Sequence, residues 1–213
     1  MRVRVSADLT IEDGAFLVQL ARKAIEQYLE TGEKISPPDN APSRLRERMG
    51  VFVTLNETMR NRRELRGCIG YPYPELPLCD ATVDSAVSAA VNDPRFPPVQ
   101  KRELGDICLE VSVLSPPVVM EALNPLDYPK KIEIGRDGLI VERGWNRGLL
   151  LPQVPVEFGW DEEEFLSQCC HKAGLTMDAW LLRGTRIYRF QALIFEEEAP
   201  GGHICRKHLS GSE

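Results

Sequence analysis

VFVTLNETMRNRRELRGCIGY, residues 51–71, contains two apolar runs separated by a polar stretch. The first run, 51–55, is rich in β-branched and aromatic residues, which are typical of strands. The second run, 65–71, also has the length and composition of a strand. Because the runs lie close together along the chain, we expect them to pair as an antiparallel hairpin.

Helical and alternating patterns predict the other elements of the chain. Apolar residues at helical spacing predict three helices, one between Thr10 and Gly32, one over 78–91 and one between Asp161 and Gly174. Strands are predicted over 107–114, 149–151 and 186–195, together with a hairpin that turns at 136–138. Since strands and helices alternate irregularly and long crossovers are few, we expect an α+β fold with a mainly antiparallel sheet and flanking helices.

The composition is that of a globular protein with an acidic balance. Hydrophobic residues make up 43%, charged residues 27%, and the formal net charge is −6. This balance disfavours broad binding to nucleic acids or membrane surfaces, which requires a basic footprint. One stretch departs from this acidic balance, because it contains Arg60, Arg62, Arg63 and Arg66. Such a stretch could form a local basic patch, but it is more often a solvent-exposed turn. Without a long apolar segment or a signal-peptide core, we expect a cytoplasmic protein whose six cysteines are free thiols.

The hexapeptide LRGCIG, residues 65–70, is the strongest candidate for special chemistry. In an extended strand Arg66, Cys68 and Gly70 share one face, and a cation near a thiol favours the reactive thiolate. Gly67 and Gly70 indicate a bulge or the close approach of another group. The alternative is a buried cysteine that behaves as a small hydrophobic residue.

The chain resembles the AMMECR family (Alport syndrome, intellectual disability, midface hypoplasia and elliptocytosis chromosomal region protein) at this hexapeptide, which matches the family hallmark. Further stretches are similar to the same family: DPRFPP at 93–98, EVSVLSP at 110–116, GRDGL at 135–139, GLLLPQVP at 148–155 and CHKAGL at 170–175. The resemblance implies an α+β protein with a larger and a smaller lobe, and a cleft between them that the hexapeptide faces. It also implies a Memo-like or radical S-adenosylmethionine protein as a possible partner, but no established reaction.

Four further residues are candidates for the site around Cys68. Glu110 is a possible general base, although a carboxylate on the wet face of a strand is commoner. Arg95 is a possible anion clamp or the partner of a nearby acid. Gln153 offers an amide to a ligand, or is an ordinary loop residue. Cys170 lies on the apolar side of a predicted helix, either as core or as a redox partner of Cys68.

These observations lead to one functional hypothesis and one alternative. We expect an enzyme or enzyme component that uses Cys68, Arg66 and Glu110 for thiol-dependent chemistry on an unknown substrate. Binding roles are assigned to Gly67, Gly70, Arg95, Gln153 and Cys170. The alternative is a non-catalytic accessory module for a protein partner.

The expected domain covers residues 1–198 in two lobes, with a flexible polar tail over 199–213. No cofactor is assigned. His203, Cys205 and His208 form a loose metal-capable set in that tail, and because polar tails rarely build metal sites, no metal is assigned either.

Overall fold

The computed structural model describes residues 9–59 and 62–209. The fold is α+β with antiparallel strand pairing, as the sequence predicts. The chain divides into two compact units. The described residues 9–116 and 193–207 form one, here called the Cys68 unit, and 117–192 with 208–209 form the other, called the 117–192 unit. No described helix has both the length and the apolar composition that a membrane-crossing helix needs.

The Cys68 unit consists of two long helices and an antiparallel sheet. Its elements are α1 (Ile11–Thr31), β1 (Gly50–Met59), β2 (Arg62–Tyr71), α2 (Leu78–Val91), β3 (Ile107–Leu114), the end of β7 (Arg186–Glu197) and β8 (Ile204–Lys207), with 3-10 helices at Ser43–Arg46 and Lys101–Gly105. Strands β2, β1, β3 and β7 follow one another across the sheet, and β8 pairs with β7. The hairpin of β1 and β2 and both helices are therefore confirmed where the sequence places them.

The 117–192 unit packs one helix on a second group of strands. Its elements are β4 (Val118–Val119), β5 (Asp137–Arg143), β6 (Asn146–Leu150), α3 (Gln153–Phe158), α4 (Glu162–Lys172) and the beginning of β7, with 3-10 helices at Pro125–Asp127, Pro129–Lys131 and Ala179–Leu181. The strand order is β4, β7, β5, β6. The apolar side of α4 meets β5 and β7 in a core that includes Leu139, Val141, Phe165, Cys169 and Ile187.

Helix α1 illustrates how local sequence sets an element boundary. The Thr10 side chain accepts from the backbone N–H of Asp13, and the Asp13 carboxylate accepts from the backbone N–H of Thr10. This reciprocal cap satisfies donors that the first helical turn leaves open. Gly32 ends the helix in the left-handed conformation, with φ of 76°, which glycine adopts without steric cost.

Gly67 allows α2 to approach the sheet closely. Leu55 of β1 pairs with Gly67 on one side and with Leu109 of β3 on the other, so these three residues share a face. A Cβ atom at Gly67 would lie 2.2 Å from the carbonyl oxygen of Ala89 in α2. Only glycine therefore fits between this strand and the backbone of the helix.

Three parts of the chain differ from the sequence-based prediction. The sequence predicts a hairpin that turns at 136–138, but residues 137–143 form one buried strand, β5. The observed hairpin joins β5 to β6 and turns at 144–145. Helix α3 was not predicted, because Pro155 interrupts its helical pattern. Part of the predicted polar tail forms β8, whose backbone pairs with 194–197 of β7. Long-range pairing of this kind leaves little trace in local sequence.

We predict that Gly67→Ala destabilises the protein by about 1–3 kcal/mol, because the new methyl group overpacks the contact with α2. Chemical denaturation should show a lower midpoint of unfolding. Gly105→Ala is the matched control, since a Cβ atom there meets nothing within 4 Å. Equal midpoints for the two variants would contradict the packing role of Gly67.

Candidate functional site

A β-bulge at Arg66 sets the arrangement of the hexapeptide. Leu55 pairs with Gly67 and Asn56 with Leu65, so Arg66 is the extra residue of β2. A bulge interrupts the regular alternation of side chains and re-aims those beside it. The simple alternation that put Arg66 and Cys68 on one face therefore breaks between these two residues.

Cys68 lies in a row of side chains that crosses three strands. Thr54 of β1 pairs with Cys68 of β2 and also with Glu110 of β3. Residues paired directly across strands project from the same face, so the thiol, the hydroxyl and the carboxylate lie on one side of the sheet. The Thr54 hydroxyl donates to Cys68 Sγ at 3.3 Å. Since Cys68 and Glu110 are two strands apart, their Cα atoms are separated by about 10 Å.

An aspartate and an arginine cap the backbone of Cys68. The Cys68 N–H donates to Asp93 Oδ2 at 2.8 Å, and the Cys68 carbonyl accepts from Arg95 Nη2 at 3.3 Å. The Arg95 guanidinium also donates to both Asp93 oxygens, at 2.9 and 2.6 Å. The sequence left two roles open for Arg95, an anion clamp and the partner of a nearby acid. The structure shows the pairing with an acid. The pair occupies backbone groups that an edge strand otherwise exposes.

Asp93 is held in its ionised form by this arrangement. Hydrogen bonds from Arg95, followed by those from the backbone of Cys68 and Arg95, outweigh burial and lower the pKa of the Asp93 carboxyl to about 2. The Asp93 side chain is almost fully buried, whereas 43% of the Arg95 side chain is exposed. A charged carboxylate is therefore built into the edge of β2 beside Cys68.

Arg66 is engaged with the 3-10 helix Lys101–Gly105. Its Nε donates to Glu103 Oε1 at 3.0 Å, and its Nη2 to Glu103 Oε2 at 3.4 Å. The same carboxylate accepts from the backbone N–H of Gln100 and so caps that helix. Within the described part of the chain, the buried Nη1 of Arg66 has no hydrogen-bond partner. A donor of this kind costs about 1–3 kcal/mol when it stays unsatisfied.

Glu110 is buried and paired with a lysine from the end of the Cys68 unit. Its side chain is 4% exposed, and its Oε2 lies 3.0 Å from Lys207 Nζ. Lys207 also pairs with Glu196, whose Oε2 contacts Arg63. The sequence left open that Glu110 lies on a solvent-exposed face of its strand. This is not observed, because every residue of β3 is buried.

The electrostatics around Cys68 differ from the sequence-based expectation. Burial raises the pKa of the Cys68 thiol, and the negative charges of Glu110 and Asp93 raise it further. The hydrogen bond from Thr54 and the positive charge of Arg95 act in the opposite direction. The cation that favours the thiolate is thus Arg95, since Arg66 is directed to Glu103.

Protein atoms fill the space beside both glycines of the hexapeptide. Gly67 faces Ala89, as described above, and a Cβ atom at Gly70 would lie 2.2 Å from the carbonyl oxygen of Val51. It would also lie 2.5 Å from the Phe52 ring. The sequence predicted either a bulge or the close approach of another group at these glycines. Close approach is observed at both, and the approaching atoms belong to this chain.

The other two candidate residues belong to the 117–192 unit. Gln153 is buried at the beginning of α3 and not in a loop. Cys170 is buried in the α4 core beside Cys169, and burial raises the pKa of its thiol to about 11. Core packing therefore accounts for Cys170, and its redox role stays a prediction.

The basic stretch and the histidine set have structural contacts of their own. Arg63 donates to the backbone carbonyls of Glu197 and Glu198, while Arg60 lies outside the described residues. His203 Nδ1 lies 3.4 Å from Glu198 Oε2. Over 9–59 and 62–209, no group of three histidine, cysteine or acidic side chains is arranged to hold a metal ion.

Comparison with known proteins identifies the family. A sequence model described as AMMECR1 matches residues 18–195. The chain belongs to the AMMECR1 family. It is 58% identical over 199 residues to a protein of Thermococcus onnurineus, covering 93% of this chain and 97% of that relative. It is 57% identical over 204 residues to Protein PYRAB00100 of Pyrococcus abyssi, covering 95% and 99%.

A solved structure supports the same assignment. The crystal structure of uncharacterized protein PH0010 from Pyrococcus horikoshii superposes with a TM-score of 0.90 at 57% identity. The match covers 93% of this AMMECR1-family chain and 98% of the PH0010 chain.

Sequence reasoning missed Thr54 and Lys207. Thr54 is recognisable only when the register of β1 and β2 is known. Asp93, in the DPRFPP stretch, is predicted from the sequence only as one of the acids that Arg95 could pair with. Lys207 was placed in a polar tail, and its alternation with Ile204 and Cys205 is too short to predict a strand.

We predict that Asp93→Asn lowers the free energy of unfolding by about 2 kcal/mol near neutral pH. The folded-state pKa of Asp93 is depressed from 3.8 to about 2, so its contribution is present above about pH 4 and disappears as the pH falls through about 2. The difference in unfolding free energy between wild type and variant, measured by denaturation from pH 7 down to pH 2, should shrink accordingly.

Asp39→Asn is the control for this experiment, because Asp39 is exposed in a loop. It should change the unfolding free energy little at any pH. A difference between wild type and Asp93→Asn that stays constant down to pH 2 would contradict the ionised role of Asp93.

Proposed function

We propose that this AMMECR1-family protein is a cytoplasmic enzyme, or a component of one, that carries out thiol-dependent chemistry at Cys68 on a substrate still to be identified. The observation that carries the proposal is the row Cys68, Thr54 and Glu110, which aligns a thiol, a hydroxyl and a buried carboxylate on one face. Glu110 is buried and pairs with Lys207, so its carboxylate has a fixed position on the same face as the thiol.

Each residue of the row has a proposed role. Cys68 is the nucleophile or redox thiol, and the Thr54 hydroxyl stabilises its thiolate by donating to Sγ. Arg95 supplies the positive charge that favours the thiolate. Glu110 is the acid–base group of the site, and its negative charge adds to the effect of burial in raising the pKa of the thiol. Arg66 supports the site indirectly, since its pairing with Glu103 fixes the bulge next to Cys68.

We predict that the alkylation rate of Cys68 rises only above the pH range of an ordinary thiol, because burial raises its pKa. Glu110→Gln should move the profile to lower pH by about one unit or less, since it removes a negative charge two strands away. Thr54→Val should move it to higher pH by about one unit, because the thiolate loses a hydrogen bond. Mass spectrometry of each cysteine peptide after timed exposure to iodoacetamide measures these profiles.

Cys205 is the internal control for Thr54→Val, because β8 pairs with β7 and not with β1. Its profile should be the same in the wild type and in this variant, whereas Glu110→Gln also releases Lys207, which lies on β8. If Cys68 alkylates like an unperturbed thiol, or if both variants leave its profile unchanged, the row does not control the thiol and the proposal loses its basis.

A non-catalytic accessory role is a second candidate, favoured by the raised pKa of Cys68 and by the engagement of its backbone with Asp93 and Arg95. In that role the unit docks a Memo-like or radical S-adenosylmethionine protein. Cys68→Ser separates the two candidates. Docking to such a purified partner, measured by calorimetry, should survive the substitution, whereas thiol chemistry should be lost. Loss of docking in Cys68→Ser would contradict the accessory role.

A further inference from the structure

A second row of charged side chains crosses the strands of the 117–192 unit. Glu142 of β5 pairs with Arg147 of β6 and with Arg186 of β7. The three side chains therefore project from one face. Arg147 Nη2 lies 2.6 Å from Glu142 Oε1, and Arg186 Nη2 lies 3.3 Å from Glu142 Oε2. One carboxylate thus holds two guanidinium groups near each other.

The two arginines are accessible although their shared partner is buried. The Glu142 side chain is 8% exposed, whereas those of Arg147 and Arg186 are 53% and 66% exposed. The Tyr188 hydroxyl also donates to Glu142 Oε2, at 3.1 Å. This third donor fixes the carboxylate from another direction. Two largely exposed guanidinium groups therefore lie on one face of the sheet, beside one buried carboxylate.

The turn that joins β5 to β6 carries an aromatic side chain close to the row along the chain. Trp145, in the turn from β5 to β6, is fully exposed. A flat apolar ring therefore lies two residues from Arg147.

We propose that Arg147 and Arg186 bind the phosphate group of a small phosphate monoester, and that Trp145 contacts the group esterified to it. A phosphate monoester carries a charge of about −1.5 to −2 near neutral pH and three acceptor oxygens, enough to accept from both guanidinium groups. Guanidinium forks match phosphate oxygens in geometry, and prior alignment by Glu142 reduces the entropy lost on binding. A single carboxylate ligand has less charge and fewer acceptors for the same pair.

The test uses the full chain titrated by calorimetry with inorganic phosphate and with AMP, at low ionic strength. Both should bind wild type, and AMP should bind more tightly than phosphate. Arg147→Gln/Arg186→Gln should weaken binding of both by roughly tenfold or more, the loss of at least one charge-assisted contact. Arg102→Gln/Arg206→Gln is the matched control, because it removes the same net charge at two exposed arginines of the Cys68 unit.

Trp145→Ala provides the second arm. It should reduce AMP binding to the level of phosphate and leave phosphate binding unchanged. Absence of binding to wild type, or equal weakening in both double variants, would show that the row is only a structural ion-pair ladder. If AMP binds no more tightly than phosphate to wild type, the assignment to phosphate monoesters is overturned. Denaturation midpoints identify any variant that fails to fold, in which case Arg147→Lys/Arg186→Lys, which keeps charge but removes the fork, replaces it.

Discussion

The Asp93 carboxylate is the constraint around which the Cys68 unit is arranged. It is almost fully buried, yet it is ionised, because Arg95 and the backbone N–H of Cys68 donate to it. An unpaired carboxylate at this depth would be strongly destabilising. The turn that follows α2 must therefore stay against β2, and this fixes the backbone of Cys68 from the side opposite β1. The position of the thiol is thus set by charge pairing as well as by strand pairing.

Most residues of the hexapeptide therefore have a role in packing or pairing. Arg66 is the bulged residue and pairs with Glu103, Gly67 admits α2, and Gly70 admits Val51 and Phe52 of β1. These requirements explain why two glycines and an arginine surround one cysteine, without assigning each of them a chemical step. Cys68 differs from these residues, because its sulfur accepts a hydrogen bond from the Thr54 hydroxyl and shares a face of the sheet with the Glu110 carboxylate, two strands away. Chemistry at this segment therefore depends on the thiol and on residues from other strands.

The sequence predicts helices and strands well, because their patterns lie within short segments. It predicts contacts between distant segments poorly. The Thr10 cap, the α2 boundaries and the alternation of 107–114 each lie within one segment, and the structure confirms them. The bulge at Arg66 depends on the register with β1, which local alternation does not encode. Lys207 reaches Glu110 only because β8 pairs with β7, across 97 residues of chain. The strands and helices that carry these residues were thus predictable from local sequence, but the long-range partners of their charges were not.

Burial and the distribution of charge together raise the pKa of the Cys68 thiol. Arg95 is the cation that favours the thiolate, but its guanidinium is already shared between Asp93 and the Cys68 carbonyl. Glu110 and burial act against ionisation. Because burial is the largest of these contributions, the thiol would ionise more readily only in surroundings that are more polar or more positively charged than those the row provides.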